Sequence, residues 1–383
     1  EAQLTGREQA VWLAWMARLA AEQDNLRDAL RWFLDHGAAE ESLRLVGALA
    51  RYWETRNGCW DEGFTSLEEA LALPDAARTN VWARALALSG WYALVRNAPT
   101  THSLLEEAAR LGRERDDRWA LARALLGLGL LASFKGDYPQ ARPLMEESLA
   151  HYRALGNWWG IAVALCDLAR VVNLEGDQAL ARTHLDEAHA LMRGAGEHRN
   201  VAYALEVRGE VAFASGDDRE AGRLWEESLH SYHQLGLNMG IASVEIYLGH
   251  LAVRLGDYGI AGAHYRSSLE YQRGFPRLQW TLCSLAGLAA VAAAGGQAER
   301  ALRLAGAALA LGEGVWSAFR AKERELVEGA METARATLGE QAATAAWAEG
   351  RALTLEEAVA LALEDPGEAP EGREATPGIG AVH

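Results

Sequence analysis

The sequence predicts an all-α fold, a solenoid of stacked antiparallel helical hairpins, and three observations predict it. First, Gly-Asp pairs stand at Gly136-Asp137, Gly176-Asp177, Gly216-Asp217 and Gly256-Asp257, with Gly295-Gly296-Gln297 in the next slot, a spacing of about forty residues. Second, one frame follows each pair, at residues 141–148, 181–188, 221–228, 261–268 and 301–308. Third, the segments before each pair, such as 119–135 and 161–175, are rich in Ala and Leu, lack internal Pro and repeat apolar residues at helical spacing. No segment reads as a strand.

Each unit therefore reads as two helices about a hinge. The Gly supplies a left-handed cap for the first helix and the Asp caps the second. Small residues fall at fixed places, Gly129, Ala169, Gly209, Gly249 and Ala289 before the hinge and Ala141, Ala181, Ala221, Ala261 and Ala301 after it. Helices approach closely only where side chains are this small, and Met145, Leu185, Trp225 and Tyr265 fill the remaining space.

In chain order, residues 1–38 hold a leading helical pair (7–36), and residues 39–312 hold the array. Two weaker copies open the array, one around Gly58 with Leu67 to Ala70 and one around Asn97 with Leu105 to Ala108. Five regular copies follow, making seven units. Residues 313–364 read as terminal helices (315–338, 340–349, 354–364) that cover the last apolar face, with Thr354 and Glu357 placed as a capping box. Residues 365–383 carry three Pro and four Gly and almost no large apolar residue, so a disordered tail is expected. The chain opens on Glu1 rather than Met and reads as part of a longer protein.

Composition bounds the partners. Thirty-seven Lys and Arg against 53 Asp and Glu give a net charge of −16, and no basic block occurs, which excludes a direct nucleic-acid or anionic-membrane surface. The three cysteines, Cys59, Cys166 and Cys283, share no metal-ligand spacing and read as small buried hydrophobes of a cytoplasmic protein. The longest nearly apolar stretch, 285–294, is too short to span a bilayer. No catalytic signature, phosphate-binding loop or metal motif is present, so neither an enzyme nor a cofactor is expected.

The order small residue, Gly-Asp-aromatic, Ala, large residue, small residue resembles the tetratricopeptide repeat in a forty-residue form, with Tyr138 and Tyr258 as the aromatics. The resemblance covers about residues 40–312 and implies a right-handed superhelix. The flanks, residues 22–32 (EQDNLRDALRW) and 345–359 (AAWAEGRALTLEEAV), resemble segments that open and close the repeat domain of large bacterial regulators of the signal-transduction ATPase class, including LuxR-type, MalT-like and AfsR-like proteins. That resemblance implies a sensing or docking domain which binds a protein, a peptide or a small-molecule inducer and relays this to nucleotide-binding and DNA-binding modules. This sequence contains neither module. The alternative is a stand-alone peptide- or protein-binding adaptor.

The resemblance also implies that the first helix of each hairpin lines a concave groove. Carried over by register, its polar residues concentrate in the middle three repeats, and both ends of the groove are bland. Arg170, Asn173, Tyr203, Glu206, Glu210, His250 and Arg254, with Phe213 as an apolar contact, are the candidate ligand-binding residues. Glu206 and Glu210 lie one helical turn apart and so share a face. The competing reading is that these charges pair with one another across the groove. Nothing fixes a metal geometry for Glu206, Glu210 and His250.

Three further features stand out. Glu245 occupies a slot that holds Leu125, Leu165, Leu205 and Leu285 in other copies; a local helix adjustment turning it to water is expected, the alternative being a functional acid near the groove. His184 and His264 share a position on the second helix and read as surface or packing residues. Trp12, Trp15, Trp32, Trp53, Trp60, Trp82 and Trp91 crowd the first quarter, as packing between irregular hairpins or as a surface for a neighbouring module or second protomer. Trp158 and Trp159 fall in an inter-repeat turn that leaves one of them exposed.

Overall fold

The computed structural model describes residues 6–54, 60–96, 98–195, 198–273, 277–313 and 321–364. The copies expected around Gly58 and Asn97 have their turns outside the described residues, as do Cys59, residues 315–320 and the tail. Among the described residues there are nineteen α-helices and no strand. α1 (Gly6–Ala21) and α2 (Gln23–Asp35) lead. Seven hairpins follow: α3 (Ala39–Glu54) with α4 (Trp60–Leu71), α5 (Trp82–Val95) with α6 (Thr101–Glu114), α7 (Arg118–Phe134) with α8 (Tyr138–Ala154), α9 (Trp158–Leu174) with α10 (Gln178–Ala195), α11 (His198–Ala214) with α12 (Asp218–Leu235), α13 (Asn238–Leu255) with α14 (Tyr258–Tyr271), and α15 (Leu278–Ala294) with α16 (Ala298–Leu311). The chain closes on α17 (Ala321–Leu338), α18 (Glu340–Ala352) and α19 (Leu355–Leu363).

The hinge chemistry is local. Gly136 and Gly216 sit at φ +75° and +80°, where any other residue would be strained. The following Asp accepts a backbone N–H from the next turn, Gln140 N to Asp137 at 3.2 Å and Glu220 N to Asp217 at 3.1 Å. Asn157 does the same for Gly160 N at 2.9 Å. That cap starts α9 at Trp158, so the expected exposed turn is helix instead and both Trp158 and Trp159 are half-buried.

Close approach explains the small residues. A Cβ on Gly209 would lie 2.3 Å from Trp225 Nε1, and one on Gly249 would lie 2.7 Å from Tyr265 Cε1. The large residue of each second helix thus rests on the small residue of its partner. Ser148, Ser228 and Ser268 repeat one further tie, each hydroxyl donating to a first-helix carbonyl, Ala122, Ala202 and Ala242, at 2.7, 2.8 and 2.8 Å. The core falls into successive apolar clusters along the array, because each hairpin buries its apolar face against its neighbours.

Glu245 does not turn to water. It stays buried and accepts from Ser267 Oγ at 2.9 Å, with His264 Nδ1 2.6 Å from its other oxygen, so the second helix supplies two partners that keep the helix unadjusted. Of the early tryptophans, Trp53 is buried, whereas Trp15 and Trp32 are more than half exposed. At the far end α17 packs on α15 and α16, and α18 packs on α16. Thr354 and Glu357 form the capping box of α19.

Candidate functional site

The first helices line a partly open cavity of about 840 Å³. It crosses the array diagonally. In α5 and α7 the lining residues sit at the C-terminal ends (Val95, Phe134); in α9 they run its whole length, from Trp159 to Leu174; in α11, α13 and α15 they sit in the N-terminal halves (Tyr203, Ser243, Trp280). Superhelical winding produces this obliquity, and it also brings Arg51 and Glu54 of α3 and Glu323 of α17 to the same cavity.

The middle of the cavity is a buried polar network. Arg170 donates to Glu210 Oε1 through Nε (2.9 Å) and Nη2 (2.6 Å), reaches Glu206 Oε1 at 3.3 Å, and donates to the Tyr203 hydroxyl at 3.1 Å. Tyr203 in turn donates to Asp167. Glu206 also accepts from Tyr232 Oη at 3.0 Å and Ser243 Oγ at 2.9 Å. Two carboxylates therefore share one guanidinium, and a third, Asp167, joins them through the Tyr203 hydroxyl. Burial pushes Asp167 up to about 6 against the pull of the Tyr203 hydrogen bond and Arg170. Burial likewise raises Glu206, opposed by Arg170. Burial opposes the charge on Arg170, but Glu210, Tyr203 and Glu206 outweigh it and hold the guanidinium protonated.

Of the sequence candidates, Arg170, Tyr203 and Glu206 line the cavity. Glu210 stands behind them as Arg170's partner. Asn173 is buried close by on α9. The other three are placed elsewhere. Phe213 lies under the Arg254 guanidinium, 3.4 Å from ring centroid to Cζ, and Arg254 is held by the Phe213 carbonyl at 2.9 Å and by Asp218. His250 is buried against Tyr265 and stands 3.9 Å from Glu323 of α17, which also accepts from Cys283 Sγ at 3.4 Å. A terminal helix thus places Glu323 beside the groove at that point.

The N-terminal end of the groove is not bland. Arg123 is buried in an ion pair with Glu54, and its guanidinium lies 4.3 Å from the Trp91 ring and 5.1 Å from that of Trp159. Arg51 of α3 stacks on Trp159, three hairpins on, at 4.0 Å. Asp167 and Arg277 are the residues that register missed. Asp167 occupies a position held by Gly127, Val207, Tyr247 and Gly287 in other copies, a departure of the same kind as Glu245. Arg277 precedes its helix and belongs to no groove row. Among the described residues, no group of three or more His, Cys, Asp or Glu side chains is placed to hold a metal ion.

The hinge geometry, the small-on-large contacts and the concave cavity define a tetratricopeptide-like helical repeat domain. Among solved structures, the chain is similar to BtubC from P. vanneervenii (18% identity, 68% of this chain and 93% of that one, TM-score 0.41). It is similar to NprR in complex with its cognate peptide NprX (14% identity, 82% and 81%, TM-score 0.46) and to a Rap protein complexed with competence and sporulation factor (13% identity, 83% and 100%, TM-score 0.45). At these identities and TM-scores the likenesses carry nothing about ligand or role. No protein-family model matches the chain, and no curated protein matches it.

Proposed function

We propose that the chain is a ligand-binding repeat domain that holds a short peptide in its concave, partly open cavity and acts as the sensing arm of a bacterial transcriptional regulator. The observation that carries this reading is the cavity. Its volume of about 840 Å³ lies in the upper part of the range for ligand pockets, roughly 300–1,000 Å³. Its walls combine flat aromatic faces, Trp159, Tyr203 and Trp280, with the amide side chains of Asn200, Asn238 and Gln279. Aromatic faces take apolar side chains, and amides pair with a peptide backbone at both its donors and its acceptors. Arg170, Tyr203 and Glu206 supply a rigid polar floor, because their mutual bonds fix their rotamers before a ligand arrives.

The regulator context is supported by the resemblance of residues 22–32 and 345–359 to the flanks of such domains. In that setting, a ligand touching α3 and α17 together shifts the superhelix between two curvatures, and a neighbouring module reads the change. The test is occlusion. Ser133 lines the cavity, so Ser133→Trp projects an indole into it. Hexapeptides selected from a random library on the parent chain are expected to bind the variant at least about tenfold more weakly, at unchanged helicity by circular dichroism. A library that yields no binder, or binders indifferent to the indole, would remove the cavity as the site.

A further inference from the structure

Four arginines line the cavity, and three are engaged: Arg170 with Glu206 and Glu210, Arg96 with Asp61, and Arg51 on the Trp159 ring and with a further partner. Arg277 differs. Among the described residues its guanidinium makes no hydrogen bond or ion pair, and its contact is with the Trp280 ring, 4.8 Å from Cζ to the centroid. It is nevertheless firmly placed. Its carbonyl accepts from Thr281 N at 2.9 Å and from Thr281 Oγ1 at 3.2 Å, so the residue is tied to the first turn of α15.

The charge is also uncompensated. Burial depresses Arg277 to about 10, and no carboxylate acts on it to offset that burial. Arg277 is half-buried, so its guanidinium is partly desolvated, and an anion that reaches it recovers that cost. Stacking on an indole occupies the face of the guanidinium and leaves its N–H edge, whose planar fork matches carboxylate and phosphate oxygens. Asn238, which opens the preceding first helix at a near-equivalent repeat position, lines the same cavity and adds an amide donor.

Resting on the peptide reading above, we infer that Arg277, stacked on Trp280, is the anchor for an oxyanion of the bound peptide, a carboxylate or a phosphate. The cavity then has two unlike parts. Around Arg170 the charges are settled among themselves and give shape; at Arg277 a charge is left for the ligand and gives selectivity.

The experiment uses the full chain and three C-terminally amidated hexapeptide pools of matched sequence, one containing Asp or Glu, one containing phosphoserine, and one with Asn, Gln and Ser at those positions. The acidic or the phosphorylated pool is expected to bind at least about tenfold more tightly than the neutral pool, as befits a hydrogen-bonded charge pair, and whichever is tighter identifies the source of the oxyanion. Arg277→Gln should erase the preference. Without ligand, the same variant should melt at or above the parent temperature, since it removes an unpaired charge from a half-buried site. Equal binding of all pools, a preference that survives R277Q, or a clear fall in the melting temperature of ligand-free R277Q would each overturn the anchor while leaving the cavity reading in place. Absence of binding by every pool would overturn both.

Discussion

Asp167 shows at single-residue scale what the network costs. Its carboxyl is 3% exposed, and burial raises it from 3.8 to about 6, so the folded chain holds this proton more tightly than the unfolded chain. Stability from this group is therefore full below about pH 4, falls as pH rises to about 6, and stays reduced above that. The span corresponds to at most roughly 3 kcal/mol. Asp167→Asn keeps an oxygen to accept the Tyr203 hydroxyl and removes the charge. It should raise the unfolding free energy by about 1–3 kcal/mol at pH 7.5 and leave it unchanged at pH 4, measured by urea denaturation at both values. A variant less stable than the parent at pH 7.5 would mean that the ionised carboxylate is a net asset. The residue was visible in the sequence as a break in its own register column, just as Glu245 was. Arg277 stands in the N-cap column of the first helices, where Asp117 and Asn157 cap, and that column precedes the helix and belongs to no groove row.

At the scale of the element, the hairpin was legible almost completely. Spacing alone located the hinges, the small-on-large contacts and three capping Asp, Asp137, Asp177 and Asp217, because each depends on neighbours within one forty-residue unit; Asp257 makes no side-chain cap. Two glycines separate packing from propensity. Gly209→Ala gains about 1 kcal/mol of helix propensity but drives a methyl to 2.3 Å from Trp225 Nε1, which donates to the Glu206 carbonyl at 3.1 Å. Overpacking against a fully buried indole, worth roughly 1–3 kcal/mol, plus a strained hydrogen bond of about 1 kcal/mol, should win, giving a net loss of about 1–3 kcal/mol. Gly329 in α17 is exposed with nothing within 4 Å, so Gly329→Ala should stabilise by up to about 1 kcal/mol. Thermal melts of the two variants should move in opposite directions; a parallel shift would show that propensity dominates. What the pattern did not contain was the docking of α17. Its amphipathic spacing shows that it must cover something, but the surface it covers lies on hairpins one and two units away.

For the whole molecule, the winding decides which candidates meet. A register row marks one face of each first helix, yet the cavity crosses those helices obliquely, so a row lines it in one repeat and leaves it in the next. Arg170, Tyr203 and Glu206 lie where row and cavity intersect; His250 and Arg254 lie beyond the intersection. Such an array also needs its terminal cover. A chain ending at Glu313 lacks α17–α19 and exposes the apolar faces of α15 and α16, including Leu288 and Leu304, both at most 4% exposed in the full chain. It should self-associate at micromolar concentration by light scattering while the full chain does not; a monodisperse shortened chain would show that these helices serve another purpose. The meeting of α3 and α17 at one cavity has a further consequence. Stacked repeats ordinarily communicate only with their neighbours, so that opening can begin at either end and travel inward. A ligand gripping both α3 and α17 acts as a non-covalent clasp, closing an open spring into a loop. The occupied array should then unfold as one cooperative body, whereas the empty one frays from its ends.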